Sequence, residues 1–307
     1  MPNQLMLWIV FNIAVLIMLF FDLGVFHKGN KAIGLKESVV WSIIWILVAL
    51  IFNAGVYIWA GPQKGTEFLT CYIIERALSV DNLFVFLIIF SYFCVPQKFQ
   101  YKVLFWGILG ALVMRAIFII FGVALVNKFH WMIYVFGAML VYVGVKLAFS
   151  GDEKVHPEKN PVVNLFKRFF PVSTDIESGR FFVTENSKRV ATPLFLVLLV
   201  IETSDIIFAV DSIPAALAIS TDPFIIYSAN VFAILGLRAM YFAIEGFMRM
   251  FEYLNYGLSI VLTFVGVKML LADIYKISTV TSLMFITVVL TVAVLLSVLK
   301  RLKKEEI

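Results

Sequence analysis

The chain has 307 residues, of which 62% are hydrophobic and 15% are charged, and its mean hydropathy is +0.98. This composition excludes a soluble globular domain and indicates a polytopic membrane protein. The net charge of +5 comes from basic residues spread over short loops, which argues against a partner nucleic acid. The two cysteines, Cys71 and Cys94, form no CxxC motif, so we expect them to be small apolar side chains.

Nine apolar runs are long enough to cross a hydrocarbon core, which takes about 20 helical residues. The first run has no basic n-region and no small-residue cleavage site, so we expect it to stay as a span. The predicted fold class is therefore an all-α polytopic membrane protein with nine transmembrane helices. These lie at roughly 5–26, 38–60, 67–94, 102–127, 131–149, 193–219, 224–247, 256–274 and 279–300.

The basic residues of the loops predict the orientation of the chain, because lysine and arginine concentrate on the cytoplasmic side. With the N-terminus outside, the outer loops carry only Lys64, Lys128 and Lys276, and the other basic loop residues all lie inside. We therefore predict an outer N-terminus and a cytoplasmic C-terminus. The single long polar segment, 150–192, is then a cytoplasmic loop. Its stretch 162–170 forms either an interfacial amphipathic helix or part of a simple linker.

Three carboxylates interrupt the sixth apolar run, at Glu202, Asp205 and Asp211. A charged side chain at the centre of a bilayer costs about 2.5–3.5 kcal/mol on insertion scales, so each acid needs a compensating partner. The partner is a basic side chain, a proton or a metal cation. Five basic residues lie inside predicted spans and are the available counter-charges: Arg76, Arg115, Lys146, Arg238 and Lys268.

The acidic motif occurs twice. Glu75 and Asp81 are six residues apart, and so are Asp205 and Asp211. Each motif is followed by a span with an Arg-Ala pair and then by a span with the tetrapeptide VGVK, at Arg115-Ala116 with Val143–Lys146 and at Arg238-Ala239 with Val265–Lys268. The repeat unit is thus three spans, and because three is odd the second copy is inverted in the membrane.

This repeat predicts the domain organisation and the place of an ion site. In transporters built from inverted repeats, the site lies at the repeat interface near the membrane midplane. The predicted segments are two accessory helices at 1–60, a first repeat at 67–149, the loop at 150–192, a second repeat at 193–274, and a last helix with a basic tail at 279–307.

The sixth span is predicted to be interrupted near its acids. Pro214 removes the amide that would bond the carbonyl of Val210, and at about 100° per residue Asp211 lies opposite Glu202. Either the helix unwinds between Asp205 and Asp211, or the three acids serve two sites.

The predicted ligands are rich in oxygen, and the three histidines all fall in loops or at span ends. Carboxylate, carbonyl and amide oxygens suit Mg²⁺, Ca²⁺ and Mn²⁺, whereas zinc and copper favour thiolate and imidazole. We therefore predict a hard divalent cation held by Glu75, Asp81, Asn82, Glu202, Asp205, Asp211 and Ser212.

Arg115 and Arg238 are the predicted counter-charges of this site. Each of them either holds one acid in a structural ion pair or occupies the carboxylates whenever the cation is absent. No organic cofactor is predicted.

The stretches ERALSVDN at 75–82, ETSDIIFAVDSIPA at 202–215 and FAILGLRAMYF at 232–242 resemble the TerC family of integral membrane proteins, and most closely its Alx-type branch. The resemblance implies manganese export from the cytoplasm across a bacterial inner membrane, metal homeostasis and tellurite resistance. It also implies that the acids of the two motifs line the metal path.

The leading hypothesis from the sequence is a Mn²⁺ exporter that works by alternating access and is not an enzyme. No GxxxxGK[ST] motif is present, so ATP is not its direct energy source, and proton coupling is the plausible substitute. Three alternatives stay open: an exporter or antiporter of Ca²⁺ or another divalent cation, an intramembrane aspartyl protease, and a membrane protein that binds metal without moving it.

Overall fold

The structure is a computed structural model that describes residues 2–26, 35–149, 168, 170–173, 179–185, 188–245, 253–275 and 277–305. Helices dominate this described part of the chain. They are α1 (Pro2–Phe26), α2 (Leu35–Ala60), α3 (Pro62–Tyr92), α4 (Gln97–Lys128), α5 (Met132–Phe149), α6 (Pro193–Leu217), α7 (Pro223–Leu235), α8 (Leu237–Glu245), α9 (Leu254–Leu270) and α10 (Thr279–Glu305).

Within the described residues, six segments are long and apolar enough to cross a membrane: Lys36–Ala60, Gln97–Lys128, Met132–Phe149, Pro193–Leu217, Pro223–Ala243 and Thr279–Lys300. Shorter apolar helices lie at Leu5–Phe21 and Tyr256–Leu270. The chain is therefore a polytopic helical membrane protein, as its composition predicts. The count of nine spans stays a prediction. Helix α3, for example, is long enough to cross a membrane at 31 residues, but it carries several charged residues in its interior.

The predicted interruption of the sixth span is wrong. Helix α6 is continuous from Pro193 to Leu217 and carries Pro214 within it. Pro214 lies three residues from the end of α6, so the one hydrogen bond that its missing amide removes, to the carbonyl of Val210, falls within the last two turns of the helix. A break occurs instead in the seventh predicted span, where Gly236 separates α7 from α8.

Four of the described helices begin with proline, at Pro2, Pro62, Pro193 and Pro223. Proline is favoured there because the first amides of a helix have no intrahelical partner. The start of α7 is also capped by Asp222, whose carboxylate accepts from the backbone amides of Phe224 at 3.0 Å and Ile225 at 3.4 Å. These sequence signals explain why α3, α6 and α7 start where they do.

Helices α3 and α6 pack against each other in opposite directions. Near the start of α3, the Cys71 thiol lies 3.8 Å from the carbonyl of Ala216 near the end of α6. Helix α7 packs on α3, and α4 packs on α6 and α7, so these four helices enclose the centre of the molecule.

Helices α5 and α9 cross in close contact at small residues. A Cβ at Gly137 would lie 3.0 Å from the carbonyl oxygen of Gly266, and a Cβ at Gly266 would lie 2.7 Å from that of Gly137. Further along, the Ser259 hydroxyl donates to the carbonyl of Gly144 at 2.6 Å. The two backbones can approach this closely only because these positions have little or no side chain.

The N-terminal helices pack on the rest of the protein through aromatic rings. The ring of Trp8 on α1 lies 5.4 Å from that of Phe224 on α7, and the ring of Phe52 on α2 lies 4.8 Å from that of Phe232. The Tyr227 hydroxyl also donates to Asn12 on α1 at 2.8 Å. Helices α1 and α2 therefore cover the outer face of α3 and α7.

The long polar loop contains an antiparallel hairpin of β1 (Phe182–Glu185) and β2 (Lys188–Ala191), which the sequence analysis did not predict. Lys102 of α4 donates to the carbonyl of Gly179 at 2.8 Å, and the ring of Phe182 lies 4.6 Å from that of Phe195 of α6. The hairpin thus joins the starts of α4 and α6. The predicted amphipathic stretch at 162–170 lies almost entirely outside the described residues.

Candidate functional site

A buried arginine joins one acid from each half of the chain. Arg115 of α4 is only 1% exposed, and its Nη1 donates to the carboxylate of Glu75 on α3. Its Nη2 lies 3.3 Å from Oδ1 of Asp205 on α6. Both acids are buried as well. Since Glu75 and Asp205 are matched positions of the repeated motif, the guanidinium bridges the two motifs.

Two neutral groups complete the shell around this guanidinium. Nη1 of Arg115 donates to the side-chain oxygen of Asn230 on α7 at 2.7 Å and to the hydroxyl of Ser212 on α6 at 3.3 Å. Asn230 was missed by the sequence analysis, although an amide inside the apolar run 224–235 was an available signal. Helices α3, α6 and α7 thus all contribute oxygens around one residue of α4.

Two oxygens of this cluster, Oε2 of Glu75 and Oδ2 of Asp205, have no hydrogen-bond partner within the described part of the chain, and Nε of Arg115 is likewise unpartnered. The hydroxyl of Ser79, four residues after Glu75 on α3, has no partner among the described residues either. A buried polar atom without a partner costs about 1–3 kcal/mol, so it calls for an explanation such as a bound water or ion. The unused oxygens come from α3 and α6, the two helices that carry the acidic motifs.

Glu202 lies against a glycine of α4. A Cβ at Gly110 would collide with both carboxylate oxygens of Glu202, so this carboxylate can lie where it does only because residue 110 is glycine. Glu202 is partly buried and precedes Asp205 by three residues, which puts the two acids on the same face of α6. The second carboxylate of α6 is therefore next to the Arg115 cluster.

The structure describes the remaining predicted ligands only in part. Asn82 is 3% exposed on α3. Asp81 and Asp211 lie on α3 and α6, but their side chains are outside the described residues. Among the described side chains, no three of histidine, cysteine, aspartate and glutamate come together as a metal-holding group. Of the predicted ligands, the described structure thus brings Glu75, Asp205 and Ser212 together around Arg115.

Arg238, the other predicted counter-charge, is also buried, at 2% exposure. Its guanidinium carbon lies 4.7 Å from the ring centroid of Tyr101 on α4, in a cation–π contact. Arg238 is the second residue of α8, just after Gly236. Its pairing with an acid of the site, as the repeat predicts, stays a prediction.

A third arginine, Arg76, marks the break between α7 and α8. Its Nη1 donates to the carbonyl of Ala233 at 3.0 Å, near the end of α7. A Cβ at Gly236 would lie 2.8 Å from Nη2 of Arg76. A cation next to the last carbonyls of a helix is favoured by the helix dipole, so Arg76 stabilises the end of α7.

A further buried acid lies beyond Cys71 toward the start of α3. The carboxylate of Glu67 accepts from Lys64 at 2.9 Å, from Gln63 at 3.1 Å and from the hydroxyl of Ser220 at 2.6 Å. Lys64 also lies 3.4 Å from Asp222. This network links α3 to the α6–α7 connection, at the end of the helices opposite the hairpin.

The arrangement defines a class of protein: a polytopic membrane protein with a buried cluster of oxygens and one guanidinium between antiparallel helices. Intramembrane ionisable groups of this kind mark ion paths, proton relays or ligand sites by default.

Comparison with known proteins gives the family. Residues 60–305 match the model of the integral membrane protein TerC family, and the chain belongs to that family. An uncharacterised membrane protein of Myxococcus xanthus is 47% identical over 294 residues, which cover 96% of this chain and 92% of that protein.

Two other relatives match over similar lengths. A protein of Salmonella typhi, named as a proposed membrane-bound redox modulator, Alx, is 43% identical over 301 residues, covering 95% of this chain and 94% of its own. An uncharacterised membrane protein of Rickettsia bellii is 38% identical over 296 residues, covering 96% of this chain and 98% of its own. No solved structure matches this chain.

Proposed function

We propose that this protein exports a hard divalent cation, in the first place Mn²⁺, from the cytoplasm by alternating access. The observation that carries the proposal is the cluster in which Arg115 bridges Glu75 and Asp205, while a second oxygen of each carboxylate is buried with no partner among the described residues. An acid from each motif thus faces one point between two antiparallel helices. That is where transporters built from inverted repeats bind their ions.

The chemistry of the cluster favours a hard ion. Its contributing groups are carboxylate, amide and hydroxyl oxygens, which suit Mg²⁺, Ca²⁺ and Mn²⁺ better than zinc or copper. The choice of Mn²⁺ among these rests on the resemblance to the Alx-type branch. Ca²⁺ or another divalent cation is the alternative cargo.

Two sets of contacts support an inverted repeat. If the VGVK tetrapeptides are aligned, Gly144 matches Gly266 and Gly137 matches Ser259. In the structure, Gly137 contacts Gly266 and Gly144 contacts Ser259. Exchanging the two copies converts one contact into the other, as a two-fold axis requires.

The contacts between whole helices follow the same rule. Helix α3 packs on α7 as α6 packs on α4, which matches α3 with α6 and α4 with the α7–α8 span. The proposed cycle is a rocking of one three-span copy against the other. Buried carboxylates can also bind protons, which gives the carrier a means of exchanging protons for the cation.

The name of the Alx relatives suggests redox chemistry as a second function. An intramolecular disulfide would need the two cysteines to come within about 7 Å of each other, Cα to Cα. Cys71 is buried within α3 and Cys94 is exposed just beyond its end, so they lie roughly 30 Å apart at about 1.5 Å per residue. The two thiols therefore cannot form a disulfide within one chain, and we favour ion transport.

Transport by purified protein in liposomes tests the proposal. Wild-type protein is expected to move radioactive Mn²⁺ down an imposed gradient for many turnovers, whereas a metal-binding scaffold takes up only a few ions per chain. Glu75→Gln and Asp205→Asn remove one negative charge each from the cluster, so both are expected to lower the rate at least about tenfold, an energetic change of about 1.4 kcal/mol.

The matched control is Glu37→Gln, which makes the same chemical change at an exposed position in the first turn of α2. It is expected to transport at the wild-type rate. If Glu75→Gln and Asp205→Asn also transport at the wild-type rate, the proposed ion site is wrong. Competition by Ca²⁺ and Mg²⁺ in the same assay decides which divalent ion is the preferred cargo.

A further inference from the structure

The surroundings of Arg115 resemble the oxygen shell of a hard cation. Its guanidinium contacts oxygens of Glu75, Asp205, Asn230 and Ser212, and three of these contacts are at 2.7, 3.3 and 3.3 Å. The oxygens come from three helices and are of the types that a hard divalent ion binds. The positive end of Arg115 thus occupies the place that such an ion would take.

The guanidinium satisfies this shell only in part. One oxygen of Glu75 and one of Asp205 have no partner among the described residues, and Nε of Arg115 has none either. A planar guanidinium directs its N–H groups along fixed directions in one plane. A spherical ion has no such restriction and can contact more of these oxygens, at about 2.0–2.6 Å.

We propose that Arg115 is an internal competitor of the transported ion: it neutralises the carboxylates while the site is empty and must be displaced from them when the ion binds. The inference rests on the proposed function and assigns Arg115 a role in ion selectivity. Electrostatic attraction scales with charge, so a divalent ion outcompetes the singly charged guanidinium. A monovalent ion has no such advantage and is rejected.

Asn230 provides the place to which the guanidinium withdraws. Its side-chain oxygen lies 2.7 Å from Nη1 and carries no charge, whereas Oδ1 of Asp205 lies 3.3 Å from Nη2. Arg115 can therefore keep this hydrogen bond when both carboxylates turn to the ion. Asn230 is the positioning residue in this scheme, since it holds Arg115 beside the carboxylates whether or not the ion is bound.

Binding measurements on purified protein in detergent test the inference without requiring transport. Free Mn²⁺ is measured by its electron paramagnetic resonance signal during titration, first alone and then with excess K⁺. Arg115→Gln is expected to bind Mn²⁺ about tenfold more tightly than wild type, the gain from removing a competitor that occupies roughly nine-tenths of the sites. It is also expected to become sensitive to K⁺, to which wild type is insensitive.

Two variants of Arg115 distinguish a wrong inference from a protein that does not fold. If folded Arg115→Gln binds Mn²⁺ more weakly than wild type, Arg115 supports the site rather than competing for it, and the inference is overturned. If Arg115→Gln does not fold, Arg115→Lys decides, because a lysine keeps the charge but cannot bridge both carboxylates in the same way. Arg115→Lys is expected to bind Mn²⁺ more tightly than wild type, and equal or weaker binding overturns the inference.

The acid variants keep this inference distinct from the proposed function. If Glu75→Gln and Asp205→Asn both bind Mn²⁺ as wild type does, the ion site itself is wrong and the role of Arg115 is wrong with it. If they lose binding while Arg115→Gln also loses it, the ion site stands and only the competitor role is wrong. Folding of every variant is checked by size-exclusion chromatography and thermal unfolding.

Discussion

At the scale of single residues, the distinctive feature of the Arg115 cluster is that some of its buried polar atoms have no hydrogen-bond partner among the described residues. Arg115 is fully enclosed, yet one oxygen of each of its two carboxylate partners is unpartnered in the described structure. Breaking one partner of a buried ion pair typically costs about 3–5 kcal/mol, whereas replacing the whole pair can be neutral. Functional variants at Glu75 or Arg115 therefore need a stability measurement beside every transport measurement.

Gly110 offers a test of Glu202 that does not alter any acid. In Gly110→Ala the new methyl group occupies the space of the Glu202 carboxylate, so this flexible side chain must move. We expect the thermal midpoint to stay the same or rise, because alanine favours a helix by about 0.5–1 kcal/mol over glycine. Mn²⁺ binding by the same protein is expected to weaken if Glu202 contributes to the site.

Gly55→Ala is the matched control, because a Cβ at Gly55 has no neighbour within 4 Å. It gives the same helix-propensity gain without moving any acid, so its Mn²⁺ affinity should equal that of wild type. An unchanged Mn²⁺ affinity in Gly110→Ala would remove Glu202 from the proposed ligands.

The sequence identified much of this cluster, but not how it is connected. The cost of burying acids in apolar spans singles out Glu75, Asp205 and Arg115 without any structure. Which acids Arg115 pairs with could not be predicted in this way, because Arg115 is separated by 40 residues from Glu75 and by 90 from Asp205. Only the packing of α4 against α6 and α7 decides which acids it meets. Asn230 was missed because a lone amide in an apolar run carries no charge that demands a partner.

At the scale of elements, helix contacts decide where spans break. An isolated glycine inside an apolar helical run is usually tolerated, so Gly236 alone does not predict a break. The reason lies 160 residues earlier in the chain, where Arg76 places its guanidinium against Gly236 and binds the carbonyl of Ala233. The hairpin of β1 and β2 is similar, since its short strands depend on contacts with α4 and α6.

The crossing of α5 and α9 predicts a strong effect of one methyl group. In Gly266→Ala the Cβ would lie 2.7 Å from the Gly137 carbonyl oxygen and 2.8 Å from the Val141 amide nitrogen, both backbone atoms that cannot turn away. The helices must separate, and overpacking of this kind costs about 1–3 kcal/mol. We expect a clearly lower thermal midpoint in detergent.

Gly122→Ala is the control for this variant. Its Cβ would meet only side-chain atoms, of Leu217 at 3.2 Å and Ile213 at 3.4 Å, which can adjust. A Gly266→Ala protein that unfolds at the same temperature as Gly122→Ala would show that α5 and α9 do not need their close approach.

At the scale of the whole molecule, the helix directions and the loop contacts agree with one another. The hairpin touches the starts of α4 and α6, whereas the Glu67 network joins the start of α3 to the connection after α6. These two features therefore lie at opposite ends of the helices. In the proposed orientation the hairpin faces the cytoplasm and the Glu67 network faces outward.

Reporter fusions test this orientation and the nine predicted spans together. Green fluorescent protein, which is fluorescent only in the cytoplasm, is expected to be fluorescent when fused after residue 305 or inserted between β1 and β2. Alkaline phosphatase, which is active only outside, is expected to be active when inserted at Gly61 or at His130. A reversed result at one position alone would require an odd number of spans to be added or lost between that position and each neighbouring reporter position, and a reversed result at all four positions would invert the predicted orientation.

The contact between Asn12 and Tyr227 has a consequence for biosynthesis. The two residues are 215 positions apart, and ribosomes add about 5–20 residues per second. Roughly 10 to 40 seconds therefore pass between the synthesis of Asn12 and the synthesis of Tyr227, its hydrogen-bond donor. During that interval the amide oxygen of Asn12 has to be tolerated by lipid or by the insertion machinery, although α1 can already pack on α2 through Phe11 and Phe52, whose rings lie 5.5 Å apart.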